Sequence, residues 1–586
     1  MSPARRLARA LLLAALASGC GKAPGREPRP ESTASSASDE PRRLVELDLS
    51  GGVSESHGGA FATPQPTLRE VLTAIREAAD DRTVGGVLVR LGPMLGEAAI
   101  GDELAAALGR LSHAGKPVHC HFENADNTSY ALAAAACNRI TMTPGGQLAL
   151  LGGSIQVVYV RSLLASLGVS ADLLQVGRFK GAADPFTRDD MPDEVRTSLN
   201  RLLDRRHGRL LDVVGRRIGG GRDAAQRLVD QGPFDGESAR VHRLIDDAEF
   251  DDEARAHAKA AAHAERVTRH ALGRQEGPKT LSELLEALSS GPDEEASRTP
   301  YVALARLEGT ITDGETPRTG EARSGPFVAE MRRLADDPHC RGVVLRIDSP
   351  GGSALASDRM WHAVRRLARR KPVVASVGGM AASGGYYVAS AATTILADRS
   401  SLVGSIGVVG GKVEVSALLE RLGVSSVVLS RGAHADIFFP FQRFDDEERR
   451  VLGTLMQRTY ERFLSRVREG RHLEGARLAA AAEGRIFAAE DAEEAGLVDG
   501  LGGLEDAFVR ARALGSVGAD TRIVEWQRRQ GLFDVLGEWL GDGEAALAPT
   551  ALSFLPPELA PLRATVELLR SGESAYASLP YWLDLR

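Results

Sequence analysis

The chain repeats itself at long range. Gly86-Val87-Leu88-Val89-Arg90-Leu91 returns as Gly342-Val343-Val344-Leu345-Arg346-Ile347, 256 residues later. Lys116-Pro117-Val118 returns as Lys371-Pro372-Val373, and Gly153-Ser154-Ile155 as Gly404-Ser405-Ile406. Leu163 to Ser170 (LLASLGVS) returns as Leu418 to Ser425 (LLERLGVS), and Leu244-Ile245-Asp246 as Leu497-Val498-Asp499. Five matches in nearly one register imply one unit used twice, so the chain must build two similar bodies. Within each unit an amphipathic stretch (Leu68 to Ala79; Phe327 to Ala335) precedes a β-branched apolar run, and a second apolar run follows Lys-Pro. Apolar runs of this kind read as strands covered on both faces. Alternation with helical stretches predicts an α/β fold with mainly parallel sheets. The units are placed at 43–250 and 301–515, with 251–300 as a helical linker and 516–586 as a C-terminal extension.

Composition narrows the partners. The 586 residues are 43% hydrophobic and 26% charged, an ordinary globular balance. A net charge of −7 supplies no overall basic field, which argues against nucleic acid as a partner. The four cysteines (Cys20, Cys120, Cys137 and Cys340) show no paired C-x-x-C spacing, so no all-cysteine zinc site is expected. Lysine is rare: Lys22, Lys116, Lys180, Lys259, Lys279, Lys371 and Lys412 are the only ones, and arginine carries the rest of the positive charge.

The N-terminus reads as an export signal. Arg5, Arg6 and Arg9 precede the apolar run Ala10 to Ala17, which is too short to span a bilayer. Ala17-Ser18-Gly19-Cys20 resembles a bacterial lipobox, with Cys20 the residue to be lipidated, although leucine is more usual where Ala17 stands. Residues 1–20 are therefore read as a lipoprotein signal peptide. Residues 21–42, rich in Pro, Ser and Glu, are read as a disordered tether. The expected product is an exported lipoprotein facing the periplasm, with the choice of inner or outer membrane left open.

Chemistry is legible where the copies disagree. Aligning Tyr130 with Tyr387 sets Ser383 of the second copy against Asp126 of the first. Ser383 precedes Gly384-Gly385 at an expected strand–helix junction, where free N–H groups favour negative charge. At an offset of 254, Lys180 of the first copy stands against His434 of the second. One copy thus holds a candidate nucleophile and the other a candidate base. Lysine can act as a base only when desolvated, since at a pKa of about 10.4 very little is neutral at pH 7. Phe179, Ala182, Ala183 and Phe186 are suitable walls. The alternatives are a surface charge for Lys180 and a helix cap for Ser383. An oxyanion hole needs backbone donors. Gly351 or Gly352, in Asp348-Ser349-Pro350-Gly351-Gly352, could supply one, and Ser383 or Gly384 the other; the first copy has Gly92-Pro93-Met94-Leu95 there.

These segments resemble a known family. ASGGYY at 382–387, DSPGG at 348–352, GSIGV at 404–408 and FKGAADPFTRDDM at 179–191 look like the long, tandem form of bacterial signal peptide peptidase A. The resemblance covers about 43–515. It implies two ClpP/crotonase-like repeats and a serine–lysine dyad, with Ser383 as nucleophile, Lys180 as general base and Ser405 orienting the lysine amine. It further implies a membrane-bound homotetramer that degrades cleaved signal peptides and other unfolded peptides, with no cofactor. Long-form members often carry a transmembrane anchor, where this chain carries Cys20.

Other motifs are set aside. His119-Cys120-His121 falls in an expected strand and reads as structural rather than metal-binding. Gly407 to Lys412 lacks P-loop spacing. The C-terminal extension holds three of the four tryptophans, Trp526, Trp539 and Trp582, and within it Leu532, Phe533, Leu536, Trp539 and Leu540 keep helical spacing; packing against the second unit is expected. Two other functions are compatible with the fold. One is a catalytically silent scaffold, which would be expected to have lost Ser383 or Lys180. The other is a crotonase-type acyl-CoA enzyme, which an export signal disfavours.

Overall fold

The structure is a computed structural model that describes residues 41–57, 65–94, 98–273, 299–318, 320–525 and 576–578. The lipidation site expected at Cys20, most of the expected tether, and the helix and tryptophans expected after residue 525 lie outside the described residues. No helix among the described residues is long and apolar enough to cross a membrane.

Each repeat builds one mainly parallel sheet. The first runs, edge to edge, through Phe234–Asp235, Arg139–Ala149, Val118–Asp126, Val84–Leu91, Arg43–Leu49 and Arg266–Arg269. The second runs through Ile486–Ala488, Leu402–Gly404, Val373–Ala382, Cys340–Ser349, Tyr301–Glu308 and Ile523–Glu525. In both, the short Phe234–Asp235 or Ile486–Ala488 strand is antiparallel to its neighbour, and the rest of this path is parallel. The central strands are buried along most of their length, as their unbroken apolar runs require. The expected helices form as Leu68–Asp80 and Ser324–Asp336.

The domain boundaries need correction. The segment expected as a helical linker begins as the helix Asp251–Ala261, but Arg266–Arg269 then joins the first sheet beside Arg43–Leu49. Ile523–Glu525 likewise joins the second sheet beside Tyr301–Glu308. Each repeat therefore ends on an edge strand, past residues 250 and 515. A four-residue strand carries too short a pattern to stand out in sequence; the open edge of its own sheet selects it.

The repeats share a core. Val302, Leu304, Val344, Val374, Leu504 and Phe508 of the second pack in one apolar cluster with Val87, Val89, Ile100 and Leu104 of the first. A third sheet draws on both: Glu321–Arg323, Thr310–Thr312, Gly351–Ser353, Tyr576–Ser578, Val408–Glu414 and Ser170–Val176. Its join is an antiparallel ladder of seven pairs, from Val408 opposite Val176 to Glu414 opposite Ser170. That ladder brings the loop after Val176 to the second repeat.

Two of the rare lysines cap helices. Lys116 Nζ donates to the carbonyls of Ala78, Ala79 and Asp81, and Lys371 Nζ to those of Leu334 and Asp337. An ammonium with three donors suits the orphan carbonyls of a helix C-terminus, and the repeated Lys-Pro marks the same joint twice.

Candidate active site

Ser383 closes the strand Val373–Ala382 and precedes the helix Gly384–Ala389. Its backbone sits in the left-handed region, at φ 52°. A non-glycine residue held there is strained, and such strain persists only where surrounding structure imposes it. Here the Ser383 N–H donates to Gly404 O at 2.7 Å. The side chain does not cap the helix. It meets Lys180, whose Nζ lies 2.7 Å from Ser383 Oγ.

Lys180 is wholly buried, so the surface-charge alternative is excluded. Its amine lies 3.0 Å from Ser405 O and 3.1 Å from Ser405 Oγ. A neutral amine has two N–H donors and one lone pair. With the donors on Ser405, the lone pair faces the Ser383 hydroxyl. Burial pushes the lysine pKa well below its ordinary value, and no carboxylate opposes it. Burial thus favours the neutral amine, the form that can accept a proton. Ser405 is itself fixed, at φ 53° with its N–H on Arg485 O at 2.7 Å.

The second repeat, more than the expected aromatic walls, encloses the lysine. Phe179 and Phe186 are only half-buried. A Cβ on Gly484 would fall 2.5 Å from the backbone of Lys180, and one on Gly407 would fall 2.9 Å from Lys180 Cδ. The Phe179 N–H donates to Glu483 O at 2.8 Å, and the Arg485 guanidinium lies 4.3 Å from the Phe179 ring centre. Gly407, Gly484 and Arg485 are site residues that sequence reasoning missed. One signal was available: Gly484 stands 252 residues after Gly232, ahead of the equivalent edge strand.

The glycine loop abuts the nucleophile turn. A Cβ on Gly385 would lie 2.7 Å from Ser349 O, and one on Gly352 2.0 Å from Ile311 O, so both positions demand glycine. Two oxyanion candidates need revision. The Gly351 N–H is turned onto Ser349 Oγ at 3.2 Å, and that of Ser383 is held by Gly404. Gly384 is the first helical residue, so its N–H has no intrahelical acceptor; Gly352 lies in the strand Gly351–Ser353.

The first repeat is closed at the matching place. Asp126 caps the helix Asn127–Ala136, accepting from Ser129 N at 2.8 Å, and its other oxygen accepts from Met94 N at 2.9 Å. The tyrosine alignment shifts by one. Tyr130 donates to Leu244 O and Tyr386 to Leu497 O, so Tyr386, not Tyr387, is the counterpart of Tyr130. The cap positions Asp126 and Ser383 still correspond, because the second helix starts one residue later relative to its tyrosine. His434 is not among the partners of Lys180, and its backbone carbonyl accepts from Ile437 N in a surface loop. His121 Nδ1 pairs with Thr141 Oγ1 at 2.9 Å, while Cys120, on the opposite face, forms a disulfide with Cys137.

Peptidase family S49 matches twice, over residues 110–265 and 365–518. "Protease 4" of Salmonella typhi is 31% identical over 508 residues, 84% of this chain and 79% of that protein. "Protease 4" of Haemophilus influenzae is 29% identical, over 83% and 77%. "Serine protease SPPA, chloroplastic" of Arabidopsis thaliana is 27% identical over 481 residues, 82% and 70%. The chain belongs to peptidase family S49, as a tandem, long-form serine protease whose two family matches fall on its two repeats.

Proposed function

We propose that the chain is an exported, lipid-anchored serine endopeptidase working through a Ser383–Lys180 dyad. The supporting observation is the 2.7 Å contact between Ser383 Oγ and a fully buried Lys180 amine. Lys180 takes the Ser383 proton as Oγ attacks a peptide carbonyl. The developing oxyanion is met by the Gly384 N–H, with Gly352 as the second donor. The protonated Lys180 then gives its proton to the leaving amine, and an acyl-enzyme on Ser383 remains. Water, deprotonated by the same lysine, releases it. Ser405 holds the amine in place in both its neutral and its protonated form.

By likeness to signal peptide peptidases, the substrates are cleaved signal peptides and other unfolded peptides, handled by a membrane-bound homotetramer. Lipidation at Cys20 is the proposed anchor, and radiolabelled palmitate incorporation, lost in Cys20→Ala, tests it. A silent scaffold is disfavoured, because both dyad residues are present and in contact. The test of function is hydrolysis of a leucine-rich signal-peptide substrate by residues 43–586. Ser383→Ala and Lys180→Ala should each abolish cleavage while leaving the circular dichroism spectrum unchanged. Retention of most activity by Lys180→Ala would remove the dyad.

A further inference from the structure

A cavity of about 320 Å³ lies between the two repeats, and neither Ser383 nor Lys180 lines it. The helix Ala98–His113 of the first repeat gives it Asp102 and Glu103. The second repeat gives it Asp398, just after the strand Thr394–Ala397, and Glu505 and Asp506, in the first turn of the helix Leu504–Leu514. Against these five carboxylates stand two exposed arginines, Arg110 and Arg399, and Arg399 leans on Glu490 at 3.8 Å. Asp398 is 5% exposed. Its Oδ1 accepts from Ser400 N at 2.8 Å. Its Oδ2 has no hydrogen-bond or ion-pair partner among the described residues, and is the oxygen left to face the cavity that Asp398 lines. Arg346, the buried cation whose charge reaches it, is already committed to Glu55, Glu103 and Ser376. Burial, with Asp102 and Glu103 adding to it, pushes the Asp398 carboxyl well above its ordinary range.

An ionised buried carboxylate without a cation is costly, and a cationic ligand offsets that cost. The walls say which cation. Among the described residues no three acidic, histidine or cysteine side chains are placed to hold a metal ion, so the acids do not converge on one point. They are spread around a space the size of a side chain, with Leu72 and Leu501 as apolar wall. A planar guanidinium with five donors spans separated carboxylates, and its alkyl stem lies on apolar surface. We propose that this cavity binds one alkylguanidinium group, its head on Asp398 Oδ2 and the neighbouring acids and its stem against Leu72 and Leu501. The group can be an arginine of a peptide or a free small guanidine. Either occupant touches both repeats, since Leu72, Asp102 and Glu103 belong to the first and Asp398, Leu501 and Glu505 to the second. The site stands apart from the dyad and does not depend on the catalytic reading.

Isothermal titration of the purified full chain with n-butylguanidine at pH 8 should show a single site, with a Kd on the order of 1 mM or tighter. n-Butylurea, its uncharged isostere, should not bind. Asp398→Asn keeps an acceptor for Ser400 N and should weaken binding by about tenfold or more. Glu505→Gln, on the more open side of the cavity, should weaken it by about threefold. Ser383→Ala should bind as the wild type does. The capped peptide acetyl-Gly-Arg-Gly-amide separates the two sources. If it binds and n-butylguanidine displaces it, the site takes a peptide arginine; if only n-butylguanidine binds, the site takes a free guanidine. No binding of n-butylguanidine, equal binding of n-butylurea, or unchanged binding by a folded Asp398→Asn chain overturns the proposal. Should Asp398→Asn not fold, the isostere and Glu505→Gln decide it, and equal affinities in both comparisons overturn it.

Discussion

Lys180 carries the residue-scale predictions. Unfolded, the lysine binds a proton at any pH below about 10.4; folded, it has shed that proton at a much lower pH. Two consequences follow with a definite sign. The rate constant kcat/KM should rise with pH through the folded lysine's pKa and fall on acidification. Stability should also rise with pH across the interval between the folded and unfolded values, because the unfolded state holds more protons there. Lys180→Met should flatten that slope in urea melts at stepped pH, and should lower kcat/KM by about 10⁴-fold or more, since dyad members act as one unit. Gly484→Ala probes the fit from the other side. It places a Cβ against the Lys180 backbone at a φ of +78°, and should cost about 2–3 kcal/mol by chemical denaturation.

Elements of the first repeat are structural where their counterparts in the second carry the proposed catalytic residues. Asp126 is the instructive case, because its carboxylate both caps a helix and pins Met94 at the place where the second repeat has its glycine loop. Asp126→Ala should therefore lower stability by about 1–2 kcal/mol, read as the shift in urea midpoint, with kcat/KM nearly unchanged. The Cys120–Cys137 disulfide closes a sequence separation of 17 residues within the same repeat. Replacing both cysteines with alanine should lose about 3 kcal/mol and again spare activity. A large loss of activity from either variant, with the fold intact, would mean that the first repeat contributes more than the Lys180 loop.

At the scale of the whole molecule, the repeats are joined by buried charge as well as by apolar packing. Arg346 is completely buried in the second repeat. Its guanidinium binds Glu55 at 2.5 and 3.0 Å and Glu103 at 2.8 Å, both from the first repeat, and Ser376 at 2.9 Å. Arg346→Met would strand two carboxylates, and should cost about 3–5 kcal/mol in a denaturation midpoint. Asp348, two residues on, accepts from Met380 N at 3.0 Å and so ties the glycine loop to the nucleophile strand. Desolvation, with Glu55 and Glu308 adding to it, pushes its carboxyl up to about 7. A raised carboxyl gives stability that is full below its unfolded value of 3.8 and is lost as pH climbs through about 7. This opposes the lysine contribution. Asp348→Asn should remove the part of the Tm decline that falls between about pH 4 and 7.

The sequence by itself determined the doubled α/β plan, the long helices and central strands, and the two residue types that chemistry needs. Periodicity and repetition are local, one-dimensional properties, and Val84–Leu91 or Cys340–Ser349 would read as buried strands in any context. A lone serine before two glycines and a lone lysine among arginines were legible as candidates for the same reason. Only the tertiary structure decided that they meet. Lys180 and Ser383 are 203 residues apart, and their contact depends on seven antiparallel pairs between Ser170–Val176 and Val408–Glu414 that no local pattern encodes. The same holds for the edge strands Arg266–Arg269 and Ile523–Glu525, and for the turning of the Gly351 N–H onto Ser349. Each is selected by a partner far along the chain, because unpaired backbone groups and buried charges are satisfied by whatever the fold brings alongside them.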